Sequence, residues 1–157
     1  MFNLFKRKAY IYAPVNGASK QIEDVEDEAF AQKMLGDGFA VTPESEYICA
    51  PCEGLLMQMF PTNHAFGIVT DDGLEVLVHI GIDTVTLQGQ GFVRQIEPGN
   101  RVKVGDKIVK VDLDLVKEKK LNTDIIVVIT NMDKIAKIDS SIGDFHVGDK
   151  VSKLILA

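Results

Sequence analysis

A chain of 157 residues, 46% hydrophobic and 25% charged, is the size of one ordinary domain and can bury a sizeable core without disulfides or metals. Its net charge of −6 argues against a nucleic-acid partner, because such binding draws most of its affinity from cations that neutralise phosphates. No apolar run approaches the span of a bilayer, and Met1 to Lys8 places its basic cluster after its apolar residues, unlike a signal peptide, so the chain reads as cytoplasmic.

Residues 1–12 read as a flexible tail and 13–157 as a single β domain. Phe2, Leu4 and Phe5 with Lys6-Arg7-Lys8 make a marginal helix and a poor membrane anchor, so a frayed, solvated terminus is expected there. Further along, clustered Val and Ile punctuated by Gly, Pro and Asp predict strands over 39–42, 47–50, 55–60, 102–111, 125–130 and 151–156. Helical patterning is confined to 23–35 and 113–120, each with room for a turn or two. Strands this short and this regularly punctuated predict an all-β fold, an antiparallel sandwich or barrel with only short helical turns.

Two internal echoes bear on that architecture. Val104-Gly105-Asp106-Lys107 recurs as Val147-Gly148-Asp149-Lys150, and Ala13-Pro14-Val15-Asn16-Gly17 as Ala50-Pro51-Cys52-Glu53-Gly54. A turn that needs Gly and a capping Asp, followed by an exit strand, predicts one supersecondary unit used more than once in one sheet system. Two copies are too few for a solenoid.

The residues that invite chemistry are His64 and His79. Asn63 to Val69 and Leu74 to Ile80 flank Thr70-Asp71-Asp72-Gly73, the composition of a hairpin loop between two β-rich runs. A loop of two or four residues puts His64 directly across from His79, on one face, with Cβ atoms about 5 Å apart. A three-residue loop with a bulge at Gly73 shifts the register by one and sends the rings to opposite faces. If they share a face, one neutral imidazole can attack while the other donates to the arriving charge. Zinc would need a third and fourth ligand, for which Asp83 and Glu75 are the nearest acids.

Other marked residues carry less. Cys49-Ala50-Pro51-Cys52 has C-x-x-C spacing, but no second pair and no βαβ pattern accompany it, and Cys49 falls in an apolar strand where a small buried side chain serves. His146, in Phe145-His146-Val147-Gly148, has no Cys, Asp or Glu at ligand spacing and reads as a surface or edge-strand residue.

Leu77-Val78-His79-Ile80-Gly81-Ile82-Asp83-Thr84-Val85 together with Thr62-Asn63-His64-Ala65-Phe66 resembles the signature of the glucose-class enzyme IIA of the bacterial phosphoenolpyruvate-dependent sugar phosphotransferase system. Ala13-Pro14 and Gly17, Gly36-Asp37-Gly38, Ala50-Pro51 and Gly54, Gly89-Gln90-Gly91-Phe92 and Asn131-Met132-Asp133 follow in that family's order. The resemblance implies an antiparallel β-sandwich with a duplicated hybrid motif. It also implies phosphoryl relay, in which His79 takes phosphate from the histidine-containing phosphocarrier protein and hands it to a cysteine on the IIB domain of a membrane sugar transporter. In that relay His64 stabilises the phosphohistidine, Thr62 orients His64, and the backbone carbonyl of Gly81 orients His79. Such transfer is a problem of positioning and charge stabilisation, and the chemistry requires no metal and no cofactor.

By the same resemblance Phe30, Met34, Leu35, Phe60, Leu77 and Val85 form an apolar docking ring, with Asp27 and Asp83 meeting partner cations. Gln58 and Thr86 stand where enteric members carry a lysine and an acid, which touches fine electrostatics and regulatory partners rather than the relay. Regulatory binding to transporters or kinases is compatible with the same surface. A biotin or lipoyl carrier is the main alternative: Val102 to Lys107 resembles its turn-and-strand unit, and Met132-Asp133-Lys134 is the nearest match to its modified lysine, but that reading leaves both histidines unexplained. A metallopeptidase of related barrel shape needs more ligands than the sequence places.

Overall fold

The computed structural model describes residues 7–157. In chain order it contains β1 (Lys8–Tyr12), β2 (Gly17–Gln21), a 3-10 turn (Ile22–Asp24), α1 (Glu28–Ala31), β3 (Asp37–Pro43), β4 (Tyr47–Cys49), β5 (Gly54–Met59), β6 (Ala65–Val69) and β7 (Glu75–Ile80). A second 3-10 turn (Thr84–Leu87) leads to β8 (Phe92–Arg94), β9 (Arg101–Val102), β10 (Lys107–Val111) and α2 (Leu113–Glu118). Then come β11 (Ile125–Ile129), a 3-10 turn (Met132–Lys134), β12 (Ile135–Ser140), β13 (Asp144–Phe145) and β14 (Lys150–Leu156). Strands pair antiparallel in an eight-stranded sheet, β13-β2-β3-β11-β7-β6-β5-β9, and two three-stranded sheets, β1-β14-β12 and β4-β10-β8.

The helices are as short as the patterning allows, and each begins at an aspartate whose carboxylate accepts a backbone N–H: Asp27 from Phe30 at 3.2 Å and Asp112 from Leu115 at 3.0 Å. Two expectations need correction. Residues 8–12, assigned to a flexible tail, form β1, paired along β14 from Lys8↔Ile155 to Tyr12↔Lys150, because Ile11 is buried in the core. The more apolar Phe2 to Lys6, read as frayed, lies outside the described residues. The single strand expected over 102–111 is two, β9 and β10, because Gly105 turns the chain at φ +89° and the Asp106 carboxylate accepts the Lys103 N–H at 2.8 Å.

The two echoes turn out to be one device. Asp149 accepts the His146 N–H at 2.8 Å as Asp106 does that of Lys103, and Gly148 turns at φ +88°. The first turn docks on Ala50, whose N–H donates to the Asp106 carbonyl at 2.8 Å; the second docks on Ala13, whose N–H donates to the Asp149 carbonyl at 2.8 Å. Each copy also closes on the other, Cys49 N–H to the Pro14 carbonyl at 2.7 Å and Tyr12 N–H to the Pro51 carbonyl at 2.8 Å. Lys107 lies over the Tyr47 ring at 4.2 Å and Lys150 over the Tyr10 ring at 4.1 Å. The molecule is thus built about an approximate two-fold axis that passes between β7 and β11.

That relation runs through the large sheet. A Cβ on Gly17 would strike the Thr42 carbonyl oxygen at 2.0 Å and one on Gly54 the Val69 oxygen at 2.2 Å, so Thr42 and Val69 are equivalent. Val69 pairs with Glu75, and Thr42 lies one step beyond the Val41↔Ile125 pair, across from Asp124. The central strands close alike at both ends, Gly81 N–H on the Asp124 carbonyl at 2.8 Å and Thr130 N–H on that of Glu75 at 2.9 Å. On this mapping the counterpart of His79 is Val128, and the counterpart of His64 is Asp37.

The core lies on both faces of the central strands. Val76, Val78 and Ile80 of β7 point with Ile125, Val127 and Ile129 of β11 into the main cluster. Ile126 and Val128 point the other way, into a smaller cluster with Ile22, Val25, Phe30, Ala40 and Ile82, against which Leu77 packs. Burial on two sides explains why β11 is an unbroken apolar run, Ile-Ile-Val-Val-Ile. His79 belongs to the second face, at the margin of the smaller cluster.

Candidate functional site

The hairpin that carries the histidines has the odd loop. Val69↔Glu75 is the last ladder pair, Thr70 N–H donates to the Leu74 carbonyl at 2.9 Å, and Asp71-Asp72-Gly73 makes the turn with Gly73 at φ +86°. The register therefore sets Ala65, not His64, across from His79, and the direct pairing that even loops would give is not formed. Strict alternation would then part the two rings. They are nevertheless 5.3 Å apart between centroids, edge to face at 82°. The reason is that β6 begins only at Ala65: Asn63 sits in the left-handed region at φ +60°, immediately before His64, so the pleat does not fix the direction of the His64 ring. The tight turn is closed by Asn63 N–H on the Phe60 carbonyl at 2.8 Å and Phe60 N–H on that of Ala65 at 3.0 Å.

His79 is oriented by its own chain two residues on. Its Nδ1 lies 2.7 Å from the Gly81 carbonyl oxygen. A carbonyl only accepts, so Nδ1 carries the proton and Nε2 presents its lone pair. Gly81 can be nothing larger: φ is +72°, and a Cβ would meet the Asn122 carbonyl oxygen at 2.8 Å and the Thr84 methyl at 2.5 Å. Phe30 lies tilted beneath the ring, centroids 5.3 Å apart. Burial lowers the His79 pKa, opposed by the Gly81 hydrogen bond and by the charges of Asp27 and Asp83.

His64 is only 8% exposed. Its Nδ1 lies 2.5 Å from the Thr62 hydroxyl oxygen, and Phe60 meets its ring edge to face at 5.4 Å. With the hydroxyl donating to Nδ1, Nε2 bears the proton and is free to donate. Burial, and then the neighbouring His79, lower the His64 pKa. Both rings are therefore neutral at neutral pH, one presenting a lone pair and the other an N–H. That is the arrangement needed to receive an electrophilic anionic group on one nitrogen and steady its charge from the other.

Of the residues expected in the docking ring, Met34 (69%), Leu35 (43%) and Val85 (50%) stand exposed. Phe60 and Leu77 are half-buried and line a groove of about 290 Å³ shared with Met57, Gln58, Glu75 and Thr130. Phe30, at 5% exposure, is floor rather than rim. Asp83 is exposed at φ +60°, and Asp27 is half-buried at the cap of α1. Thr86 is exposed, its hydroxyl donating to the Asp83 carbonyl at 2.7 Å. The remaining marked residues lie elsewhere. Cys49 and Cys52 are free, buried thiols, pushed by burial up to about 11 and about 12. His146 is exposed and starts the second Gly-Asp turn. Met132-Asp133-Lys134 is a 3-10 turn between two strands that belong to different sheets, not the tip of a hairpin.

Two supports have no role assigned to them by the sequence. Thr84, 1% exposed, donates its hydroxyl to the Ile80 carbonyl at 2.5 Å and ties down the loop that bears Gly81. Asp124, 3% exposed, accepts from the Thr42 hydroxyl at 3.0 Å, pairs with Lys20 at 2.8 Å and offers its carbonyl to Gly81. Thr84 lies inside the histidine signature, and a polar residue opening an apolar run is the only signal that Asp124 leaves in the sequence.

Comparison with known proteins places the chain in a family. The family model described as "phosphoenolpyruvate-dependent sugar phosphotransferase system, EIIA 1" matches residues 9–135. A relative named PTS system glucose-specific EIIA component, from Halalkalibacterium halodurans, is 52% identical over 126 residues, spanning 80% of this chain and 73% of its own. A Streptococcus pneumoniae protein named PTS system glucose-specific EIICBA component is 47% identical over 128 residues, which are 82% of this chain but 18% of that longer one. The solved structure of glucose permease IIA from Mycoplasma capricolum superposes with a TM-score of 0.88 at 40% identity, covering 98% of this chain and 99% of its own.

Proposed function

Because the chain belongs to the EIIA 1 family of the phosphoenolpyruvate-dependent sugar phosphotransferase system, we propose that its phosphoryl relay runs through His79 Nε2. In the first step that lone pair attacks phosphorus in line while the bond to the phosphocarrier protein's histidine breaks. In the second a cysteine thiolate of a sugar transporter's IIB domain attacks the same phosphorus, and the bond to His79 breaks. No proton need leave His79, because Nδ1–H stays on the Gly81 carbonyl throughout. His64 donates Nε2–H to the phosphoryl oxygens, and the Thr62 hydroxyl holds it in the donating tautomer. The observation that carries the reading is the pair of neutral rings 5.3 Å apart with opposite roles fixed by Gly81 and Thr62.

Docking in this reading uses the apolar ring of Met34, Leu35, Phe60, Leu77 and Val85, with Asp27 and Asp83 facing cations of both partners in turn. Phe30 supports the nucleophile from below. The same surface would take a regulated transporter or kinase without a second site. This assignment puts the domain in the cytoplasm, and no helix among the described residues is long and apolar enough to cross a membrane.

The test is intact mass after incubation with phosphoenolpyruvate, enzyme I and the phosphocarrier protein, followed by peptide mapping. One acid-labile phosphoryl group on the His79 peptide is expected. His64→Gln should still accept the group and pass it on poorly. An unchanged mass with active partners, or equal loss of acceptance in His64→Gln and His79→Gln, would overturn the assigned roles.

A further inference from the structure

We propose that Asn63 and Arg94 are positioning residues for the phosphoryl-transfer site, a clamp that holds the His64 ring over His79; this rests on the relay reading above. The ladder register alone would separate the rings; the His64 carbonyl keeps that register, accepting the Ile80 N–H at 2.7 Å, and the left-handed turn at Asn63 frees only the direction of its side chain. That turn is held by its side chain. Arg94 Nε donates to Asn63 Oδ1 at 2.8 Å, Asn63 Nδ2 donates to the Phe92 carbonyl at 3.2 Å, and the other arm of the guanidinium, NH1, donates to Glu97 at 3.0 Å. Both ends of the side-chain amide are thus taken by β8, a strand of a different sheet, so the turn bearing Thr62 and His64 is fastened to the opposite layer.

The two-fold relation supplies a control within the molecule. The counterpart of Asn63 is Gly36, also at positive φ (+137°), where a Cβ would strike the Ile129 carbonyl oxygen at 2.1 Å. At Gly36 the backbone needs only freedom and closeness. At Asn63 a side chain is present in a conformation that glycine would adopt at less cost, and each of its polar ends has a partner. An orienting role follows from that difference. Displacement of a reacting or stabilising group by about 1 Å costs on the order of 100-fold in rate, so a clamp on the supporting histidine acts on transfer without touching the phosphoryl group.

Two substitutions that leave the net charge alone test it. Asn63→Gly keeps the positive φ accessible and removes both amide contacts; Arg94→Lys keeps the cation and removes the planar fork. Acceptance by His79 should stay within about twofold, because the Gly81 contact is untouched, while onward transfer to IIB should slow about tenfold. The second readout is the titration of both imidazoles by NMR. The charged and titratable groups acting on these rings are His79 on His64, and Asp27 and Asp83 on His79, none of them altered by either variant. A His64 ring released toward solvent and away from His79 should titrate closer to 6.5, with His79 unmoved. If both variants lose thermal stability yet keep the parent's His64 titration and transfer rate, the clamp is merely structural and the proposal falls. If the parent protein itself accepts no phosphoryl group, the relay reading falls, and the His64 titration still decides whether the clamp positions the ring.

Discussion

β7 and β11 are the same strand twice: neighbours at the centre of one sheet, closed at both ends by equivalent hydrogen bonds and related by the molecule's two-fold axis. One presents His79 at the point where the other presents Val128, and the polar residue that opens them is exposed Glu75 in one and buried Asp124 in the other. The peripheral copies, by contrast, have stayed alike down to the lysine over a tyrosine. The duplicated frame supplies rigidity, and chemistry enters where the two copies differ.

The largest break in that comparison comes from exchanging nucleophile and counterpart. His79→Gln should reduce phosphoryl acceptance by at least about 1000-fold, read as intact mass against time. Val128→Ala, one cavity in the smaller cluster, should cost about 2 kcal/mol of stability and leave acceptance per folded molecule unchanged. Loss of acceptance in Val128→Ala at full folding would mean that the symmetric strand takes part in the site.

Turn glycines sharpen it next. Gly81→Ala combines positive φ with a Cβ at 2.8 Å from a carbonyl oxygen, whereas Gly148, at φ +88°, has open space where a Cβ would go. Urea denaturation should show a loss of about 3 kcal/mol for the first and about 1 kcal/mol for the second. Gly81→Ala should also detach the Nδ1 hydrogen bond, visible in the His79 proton spectrum. Equal costs would remove the claim that Gly81 is fixed by packing at the site.

A smaller difference separates the opening acids. Asp124→Ala leaves Lys20 and the Thr42 hydroxyl without their acceptor and should cost about 2 kcal/mol. Glu75→Ala, on the exposed counterpart, should stay within about 0.5 kcal/mol. Differential scanning calorimetry of the two variants is enough to compare them.

The smallest effect is in pH. Both rings of the pair titrate below 6.5 in the folded protein, burial being the main cause, while in the unfolded chain they titrate at the ordinary value. The unfolded state therefore takes up protons first on acidification. This contribution to stability is complete above pH 6.5 and is lost as the pH falls from there through the lowered folded values. Urea midpoints measured from neutral pH downward should decline, and His64→Gln should flatten part of the decline. A rise in stability over that window would show that the rings gain protons on folding.

Much of this molecule is legible in the chain. The Val- and Ile-rich stretches ending at Thr42, Thr130 and Leu156 become β3, β11 and β14, and the repeated Val-Gly-Asp-Lys turns announce the duplication. β2 and β12 are not legible, because Gly-Ala-Ser-Lys-Gln and Ile-Ala-Lys-Ile-Asp-Ser owe their strand state to neighbours that pair with them rather than to their own propensity. The site is instructive in a different way. The histidines are conspicuous, but loop parity misleads: the odd loop, expected to send the rings to opposite faces, is the one formed, and the rings still come together. Alternation holds only inside a strand, and the one residue that ends it, Asn63, looks like any polar turn residue. Asp124 is hidden for the same kind of reason, since its partners Thr42 and Lys20 are remote in the chain.

The docking of the second Gly-Asp turn on Ala13, with β1 laid along β14, sets a rule for how the chain reaches its shape. The sheet β1-β14-β12 joins nearly the first described residues to nearly the last, so its contact order is about as high as a domain of this size permits. During synthesis Lys8–Tyr12 must wait, unpaired, until Lys150–Leu156 has been made. This sheet therefore closes only once Leu156 has been made, and removing either β1 or β14 exposes the edge that the other was holding.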